Sequence, residues 1–277
     1  MLQPVAIITG AAGGMGAAIA RLLGHSHRLL LNDVARDRLD ALVQALRGEG
    51  MDADGLAGDL AEPGVADRLA ALLGQDDVLR SVVNAAGLSP IQADWQSIVA
   101  ANAIGPARLL AAVDPLLGQG TACVMIASVA GHLGPRDATA EAALAAPLQP
   151  GLCDALAPML AALAEVDGGS LEGHAYSLTK RAIIRRCEEN AGHWGARGAR
   201  IVSLSPGMIL TPMGRREAES GRRAQALVDA TPAGRWGTAD DIAATAQFLL
   251  SDAASYISGC DIRVDGGAVA ALRGRRF

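Results

Sequence analysis

The sequence predicts a doubly wound α/β domain, a parallel sheet of about seven strands with helices on both faces. Three observations carry that expectation. Short apolar runs rich in β-formers alternate with longer Ala/Leu stretches along the chain. The runs are apolar throughout rather than at every second position, the pattern of strands buried on both faces. Of the 277 residues, 51% are hydrophobic but only 3% aromatic, which suits small-residue helices packed closely on a buried sheet.

The strands read, in order, VAIIT (5–9), RLLLN (28–32), a short run near Asp52 to Ala57, VLRSVVNA (78–85), ACVMIAS (122–128), RIVSLS (200–205) and YISGCDIRV (256–264). The helical intervals supply the right-handed crossovers that parallel strands need. No internal repeat, low-complexity linker or Ser/Gly hinge interrupts the chain, so 1–277 reads as a single domain. The one departure from smooth alternation lies at 132–173. There ATAEAALAA and GLCDALAPMLAALAE read as two helices, split by Pro147 and Pro150 and closed by the turn DGGS. A further helix is expected from about His174 to Trp194.

The string TGAAGGMG, Thr9 to Gly16, follows the first strand and opens the first helix. Gly10, Gly14 and Gly16, with Met15 between the last two, permit a tight turn, close backbone approach to a pyrophosphate and close helix-on-strand packing. The helix N-terminus then offers N–H groups to the anion. This is Rossmann-type architecture, and it calls for a dinucleotide. Asp33 stands 23 residues after Gly10, where a carboxylate can accept the adenosine ribose hydroxyls and repel a 2′-phosphate. No Lys or Arg sits in the glycine turn and the next basic residue is Arg36, so NAD(H) is expected rather than NADP. An ordinary helix N-cap is the competing reading of Asp33.

Tyr176 and Lys180 in YSLTK lie at i and i+4 and so leave one helix face a turn apart. A free phenol, with a pKa of about 10, is a poor base at neutral pH. A neighbouring ammonium and an oxidised nicotinamide ring stabilise the phenolate and bring it into range. By itself such a pair is better explained as a surface pair on an exposed helix, and only the motifs around it overturn that. Ser128 by itself reads as a turn or cap serine, and Asn102 as a polar helix residue.

The formal net charge of −5 removes the simplest electrostatic reason to bind nucleic acid or an anionic membrane. The short basic tail Arg273, Arg275 and Arg276 reads as a solvated terminus. Cys123, Cys153, Cys187 and Cys260 are scattered, suggesting inert thiols rather than disulfides or zinc, and no metal cluster is expected. MLQPVAIITG runs straight into a strand, leaving no room for a signal peptide, and no apolar run reaches membrane-spanning length. A cytoplasmic protein is expected.

Taken together and in order, these motifs resemble the short-chain dehydrogenase/reductase family over essentially the whole chain. The resemblance is carried by TGAAGGMG, Asp59 with Leu60, Asn84-Ala85-Ala86-Gly87, Asn102, Ser128 in IASVAG, YSLTK, Pro206-Gly207, Thr211, GRWGTADDIA and SGCDIRVDGG. It implies that Tyr176 is the general acid/base, that Lys180 lowers its pKa and holds the nicotinamide ribose, and that Ser128 hydrogen-bonds the substrate oxygen. Asn102 would hold a water that relays protons from Lys180. Asp59 and Leu60 would flank the adenine, the 84–87 turn would pass beneath the cofactor, and Thr211 would touch the carboxamide. A small alcohol or ketone substrate and a homo-oligomer, dimer or tetramer, follow from the same resemblance.

The chain departs from the family between Ser128 and Tyr176, which stand 48 positions apart, far beyond the family's usual interval. The inserted hairpin must return beside the substrate mouth or along the helix face many relatives use for pairing. An apolar lid, an altered interface and a passive excursion are all open readings. A similar insertion occurs in bacterial 3α-hydroxysteroid dehydrogenase/carbonyl reductases, so a steroid or other apolar cyclic ketone is the first substrate expectation. The competing enzymatic reading is reduction of a 3-oxoacyl group on a carrier protein. That activity usually employs NADPH and a basic docking patch. The competing reading outside enzymes is a dinucleotide sensor that has lost its chemistry, against which the joint presence of Asn102, Ser128, Tyr176 and Lys180 argues.

Overall fold

In a computed structural model, residues 2–219 and 227–274 are described, and Arg275 and Arg276 of the basic tail lie outside them. Seven parallel strands form one sheet in the order β3-β2-β1-β4-β5-β6-β7. They span Gln3–Thr9 (β1), Arg28–Asp33 (β2), Ala53–Ala57 (β3), Asp77–Asn84 (β4), Ala122–Ile126 (β5), Arg200–Pro206 (β6) and Asp261–Val264 (β7). The order reverses between β1 and β4, the switch point where ligands of such sheets bind beyond the strands' carboxyl ends. Register places Thr9 opposite both Asn32 and Asn84, so three polar side chains close that end of the sheet.

Two apolar layers sandwich the sheet. Ala6 and Ile8 pack to one side with helices Gly14–Leu23 (α1) and Arg36–Gly48 (α2) and with Ala239–Leu250. Val5 and Ile7 pack to the other, with Leu69 of Val65–Ala70 (α3) and with Leu109, Val113, Ile183 and Ile184 of two later helices. Trp95–Val99 (α4) continues through a π-helical turn, Ala100–Ile104, into Gly105–Val113 (α5). After β5 come a short turn of helix at Ala130–Leu133 (α6), then Ala138–Ala145 (α7), Leu152–Asp167 (α8) and Leu171–Gly195 (α9). The two expected helices of the insertion are therefore α7 and α8.

These two helices are packed rather than splayed. Ala140, Leu144, Leu152, Leu156 and Leu160 form one apolar cluster with Ile98 and Val99 of α4 and Ala175 and Leu178 of α9. Polar ties reinforce it: Arg181 and Arg185 donate to the two oxygens of Glu141, and Arg186 donates to the Leu144 and Ala145 carbonyls at the end of α7.

Some expected bounds move. The run at 256–264 is strand only from Asp261, because Gly259 adopts φ +64° and turns the chain there. The strand at 122–128 ends at Ile126, and Ser128 lies in the turn beyond it. Helix α9 starts at Leu171, where Ser170 accepts the Gly173 N–H as its N-cap. No helix of the described residues is long and apolar enough to cross a membrane.

Candidate active site

The glycine turn is shaped by what surrounds it. Gly10 has φ +62°, and a Cβ there would lie 2.5 Å from Ala86 N and 2.6 Å from the Ala85 carbonyl carbon, so the turn is pressed onto the 84–87 segment. A Cβ on Gly16 would collide with Gly10 O, and one on Gly14 would lie 2.8 Å from the Thr211 methyl. Gly10, Gly13, Gly14 and Gly16 leave the backbone of this turn bare at those four positions, and no side chain caps the first turn of α1. Thr211, buried, accepts the Gly214 N–H on Oγ1 while its methyl faces that cradle. Upstream, Pro206 O accepts the Val129 N–H and Gly207 N–H bonds Val264 O, which fixes the start of the loop carrying Thr211.

Asp33 closes β2 as expected, and both of its carboxylate oxygens are held. Oδ2 accepts the Ala12 N–H at 3.0 Å and Oδ1 the Ala35 N–H at 3.0 Å. The N-cap of α2 is Ala35, so Asp33 is not that helix's cap. Next door, Asn32 Nδ2 donates to the Leu56 and Gly58 carbonyls, guiding the chain into Asp59, whose Oδ1 accepts the Ala61 N–H. Leu60 is buried against the backbone of Gly105. Thr9 donates to Asn84 Oδ1 at 2.9 Å, which leaves Asn84 Nδ2 a buried donor with no partner. An orphaned donor beside a glycine-rich cradle fits a site made for a polar ligand, and the donor set suits a dinucleotide.

The catalytic candidates converge one strand away. Lys180 is buried and its Nζ donates to Ile126 O at 3.0 Å, two residues before Ser128. The same Nζ lies 5.9 Å from the Tyr176 ring centroid. A Cβ on Gly87 would lie 2.9 Å from Asn102 Oδ1 and 3.2 Å from Lys180 Nζ, so the 84–87 turn, the π-helical turn and α9 meet at one point. Ser128 Oγ accepts the Ala130 N–H at 3.1 Å, keeping its own hydrogen for another acceptor. The segment after it is pressed onto α9: a Cβ on Gly131 would lie 2.8 Å from Arg181 N, and one on Gly134 would collide with Ser177 Cβ.

Sequence reasoning did not foresee the fate of the Asn102 amide. Its Oδ1 accepts the Leu88 N–H at 2.8 Å and its Nδ2 donates to Leu88 O at 2.9 Å. The side chain is thus spent on fixing the loop after β4. The anchor for Lys180, a backbone carbonyl, leaves no trace in side-chain identity. The Asp167–His174 contact, Nε2 to Oδ1 at 3.0 Å, joins the end of α8 to the first turn of α9. Its only trace in the sequence is the DGGS turn. Among the described residues no three His, Cys, Asp or Glu side chains converge on a metal-sized site.

The family model for short chain dehydrogenases matches residues 4–143, and one described as enoyl-(acyl carrier protein) reductase matches 158–269. The chain belongs to the short-chain dehydrogenase family. The two matches leave 144–157, within the insertion, between them. This dehydrogenase is 33% identical to the D-threitol dehydrogenase of Mycolicibacterium smegmatis, with 95% of this chain and 92% of that protein covered. It is 30% identical to the 3-alpha-hydroxysteroid dehydrogenase/carbonyl reductase of Comamonas testosteroni, over 99% of each. A solved structure from Beutenbergia cavernae, described as an NAD(P)-dependent gluconate 5-dehydrogenase by assignment and holding NADP at low occupancy, superposes with a TM-score of 0.72 at 26% identity. That match covers 96% of this chain and 97% of the other. The chain thus has a fold that binds a nicotinamide dinucleotide, in a family of oxidoreductases acting on alcohols and ketones.

Proposed function

We propose that this dehydrogenase is NAD-dependent and interconverts a secondary alcohol and a ketone on an apolar, steroid-like or other cyclic substrate, with Tyr176 as the proton-transfer group. What supports the reading is the convergence of Gly87, Asn102 and Lys180 on the end of β5, with Tyr176 one turn away on the same helix face. The chemistry that a bound nicotinamide dinucleotide would supply here is hydride transfer. In oxidation the Tyr176 phenolate accepts the substrate hydroxyl proton, and in reduction the phenol gives one back. Lys180 favours the phenolate electrostatically and orients the nicotinamide ribose. Ser128 donates its hydroxyl hydrogen to the substrate oxygen, and protons pass to solvent by way of Lys180 and a water near Asn102.

For the nucleotide, the proposal places the pyrophosphate on the cradle of Gly10, Gly14, Met15 and Gly16. Asp59 and Leu60 flank the adenine, Asn84, Ala85 and Gly87 lie beneath the cofactor, and Pro206, Gly207 and Thr211 lie at the carboxamide end. Asp33, an anion pinned by two backbone N–H groups, favours a 2′-hydroxyl over a 2′-phosphate. Tyr176 is itself packed against the cluster that α4, α7 and α8 build, which supports an apolar substrate. A second reading, a polyol, has the D-threitol dehydrogenase relative in its favour. A cytoplasmic location and homo-oligomerisation belong to the same proposal.

The test is initial rates with NAD and NADP across steroids, monocyclic and bicyclic ketones, and four- to six-carbon polyols. The proposal expects turnover of apolar cyclic substrates with NAD preferred. Turnover confined to polyols, or an NADP preference, would overturn the corresponding half of it.

A further inference from the structure

A cleft of about 580 Å³ opens where the insertion leaves and rejoins the fold, lined by His132, Gly134, Pro135, Arg136, Asp167 and Arg273 among others. None of the glycine turn, Asp33, Ser128, Tyr176 or Lys180 lines it. Its polar walls are held in place from behind. His132 Nε2 lies 2.8 Å from Asp261 Oδ2, and the other oxygen of that carboxylate accepts the Ser203 and Ser205 hydroxyls. Arg273 donates through one terminal nitrogen to His132 O at 3.0 Å. Asp167 Oδ1 accepts the Gly169 N–H at 2.8 Å and meets His174 Nε2. Arg136 directly precedes Asp137, whose side chain caps α7 through Ala140 N, so its backbone is fixed as well.

We propose that this cleft is an oxyanion site, taking a small molecule that carries a carboxylate or phosphate group. Two arginines, both exposed to solvent, and one aspartate are among the residues that line it, in a chain of net charge −5. Among the described residues Arg136 has no ion-pair partner. Arg273 spends a single nitrogen on His132, and a guanidinium offers five N–H donors. The planar fork of arginine matches the paired oxygens of such anions, and walls already ordered lose little entropy on binding.

The test is a titration of inorganic phosphate, and separately of succinate, into the protein saturated with NAD at constant ionic strength, followed by calorimetry and by amide NMR shifts. Saturation removes the glycine turn as a competing anion site. The expected result is saturable millimolar binding of at least one anion, on the order of −4 kcal/mol. It should weaken at least tenfold in Arg136→Glu and in Arg273→Glu, with NAD affinity and folding unchanged. Arg68→Glu, whose side chain is exposed on α3, should bind as wild type does. Tighter binding of phosphate or of succinate tells which headgroup the site selects. No saturable binding of either anion, or an equal loss in Arg68→Glu, would overturn the proposal. The readout is binding, so it is independent of whether Tyr176 carries the chemistry.

Discussion

At Asp33 the two backbone N–H groups from Ala12 and Ala35 hold the carboxylate that the proposal sets against a 2′-phosphate. Asp33→Ala is therefore expected to lower the NAD over NADP preference by on the order of tenfold or more, measured as a ratio of kcat/KM; one unit of log preference is about 1.4 kcal/mol. Lys180 is buried on Ile126 O beside Asn102, and in the proposed mechanism it serves both the ribose contact and the phenolate. Lys180→Ala should lower turnover by about 10²-fold or more and weaken dinucleotide binding as well, seen by fluorescence titration. Tyr176 and Lys180 were legible because a helix repeat is local: four positions fix a shared face. The Leu88 backbone that takes up Asn102, and the Ile126 carbonyl that anchors Lys180, were not. They are distant in sequence, and every residue owns such a carbonyl.

At the scale of elements, Pro147, Pro150 and the DGGS turn delimit α7 and α8 by local backbone rules, so both helices could be read from the sequence. The surface they cover could not, since it depends on where α4 and α9 stand. Their burial makes the insertion part of the core. Leu156 is fully buried between them, and Leu156→Ala is expected to cost about 2–5 kcal/mol of global stability in denaturant unfolding. A freely hinged flap would lose almost nothing. Glu141 is largely buried and joins both Arg181 and Arg185. Glu141→Ala leaves those guanidiniums without their shared carboxylate and should cost about 1–3 kcal/mol, with hydrogen exchange rising first in α7. The strand expected from 256 was overextended for the opposite reason. Tyr256 and Ile257 look like strand residues, but Gly259 turns the backbone and Tyr256 is left in solvent.

For the molecule as a whole, alternation of solid apolar runs with helical intervals was enough to give the sheet, because parallel strands permit few other connections. The strand order and the pairing of Thr9 with Asn84 required the folded register. The far end of the sheet carries a pH dependence. Burial pushes the His27 imidazole below its ordinary value, against a hydrogen bond to Leu23 and with help from the Arg80 charge. The unfolded chain then binds that proton first, so this contribution to stability is complete at neutral pH and is lost as pH falls below about 6.5. His27→Gln should flatten the fall of Tm between pH 7 and pH 5.5, and an unaltered slope would contradict this. The central claim, that Tyr176 passes the proton in a site whose dinucleotide cradle is separate, is met most directly by Tyr176→Phe. Its kcat should fall by about 10²–10⁴-fold while the NAD dissociation constant moves by less than about twofold. Turnover at the wild-type rate in the phenylalanine variant would contradict the account.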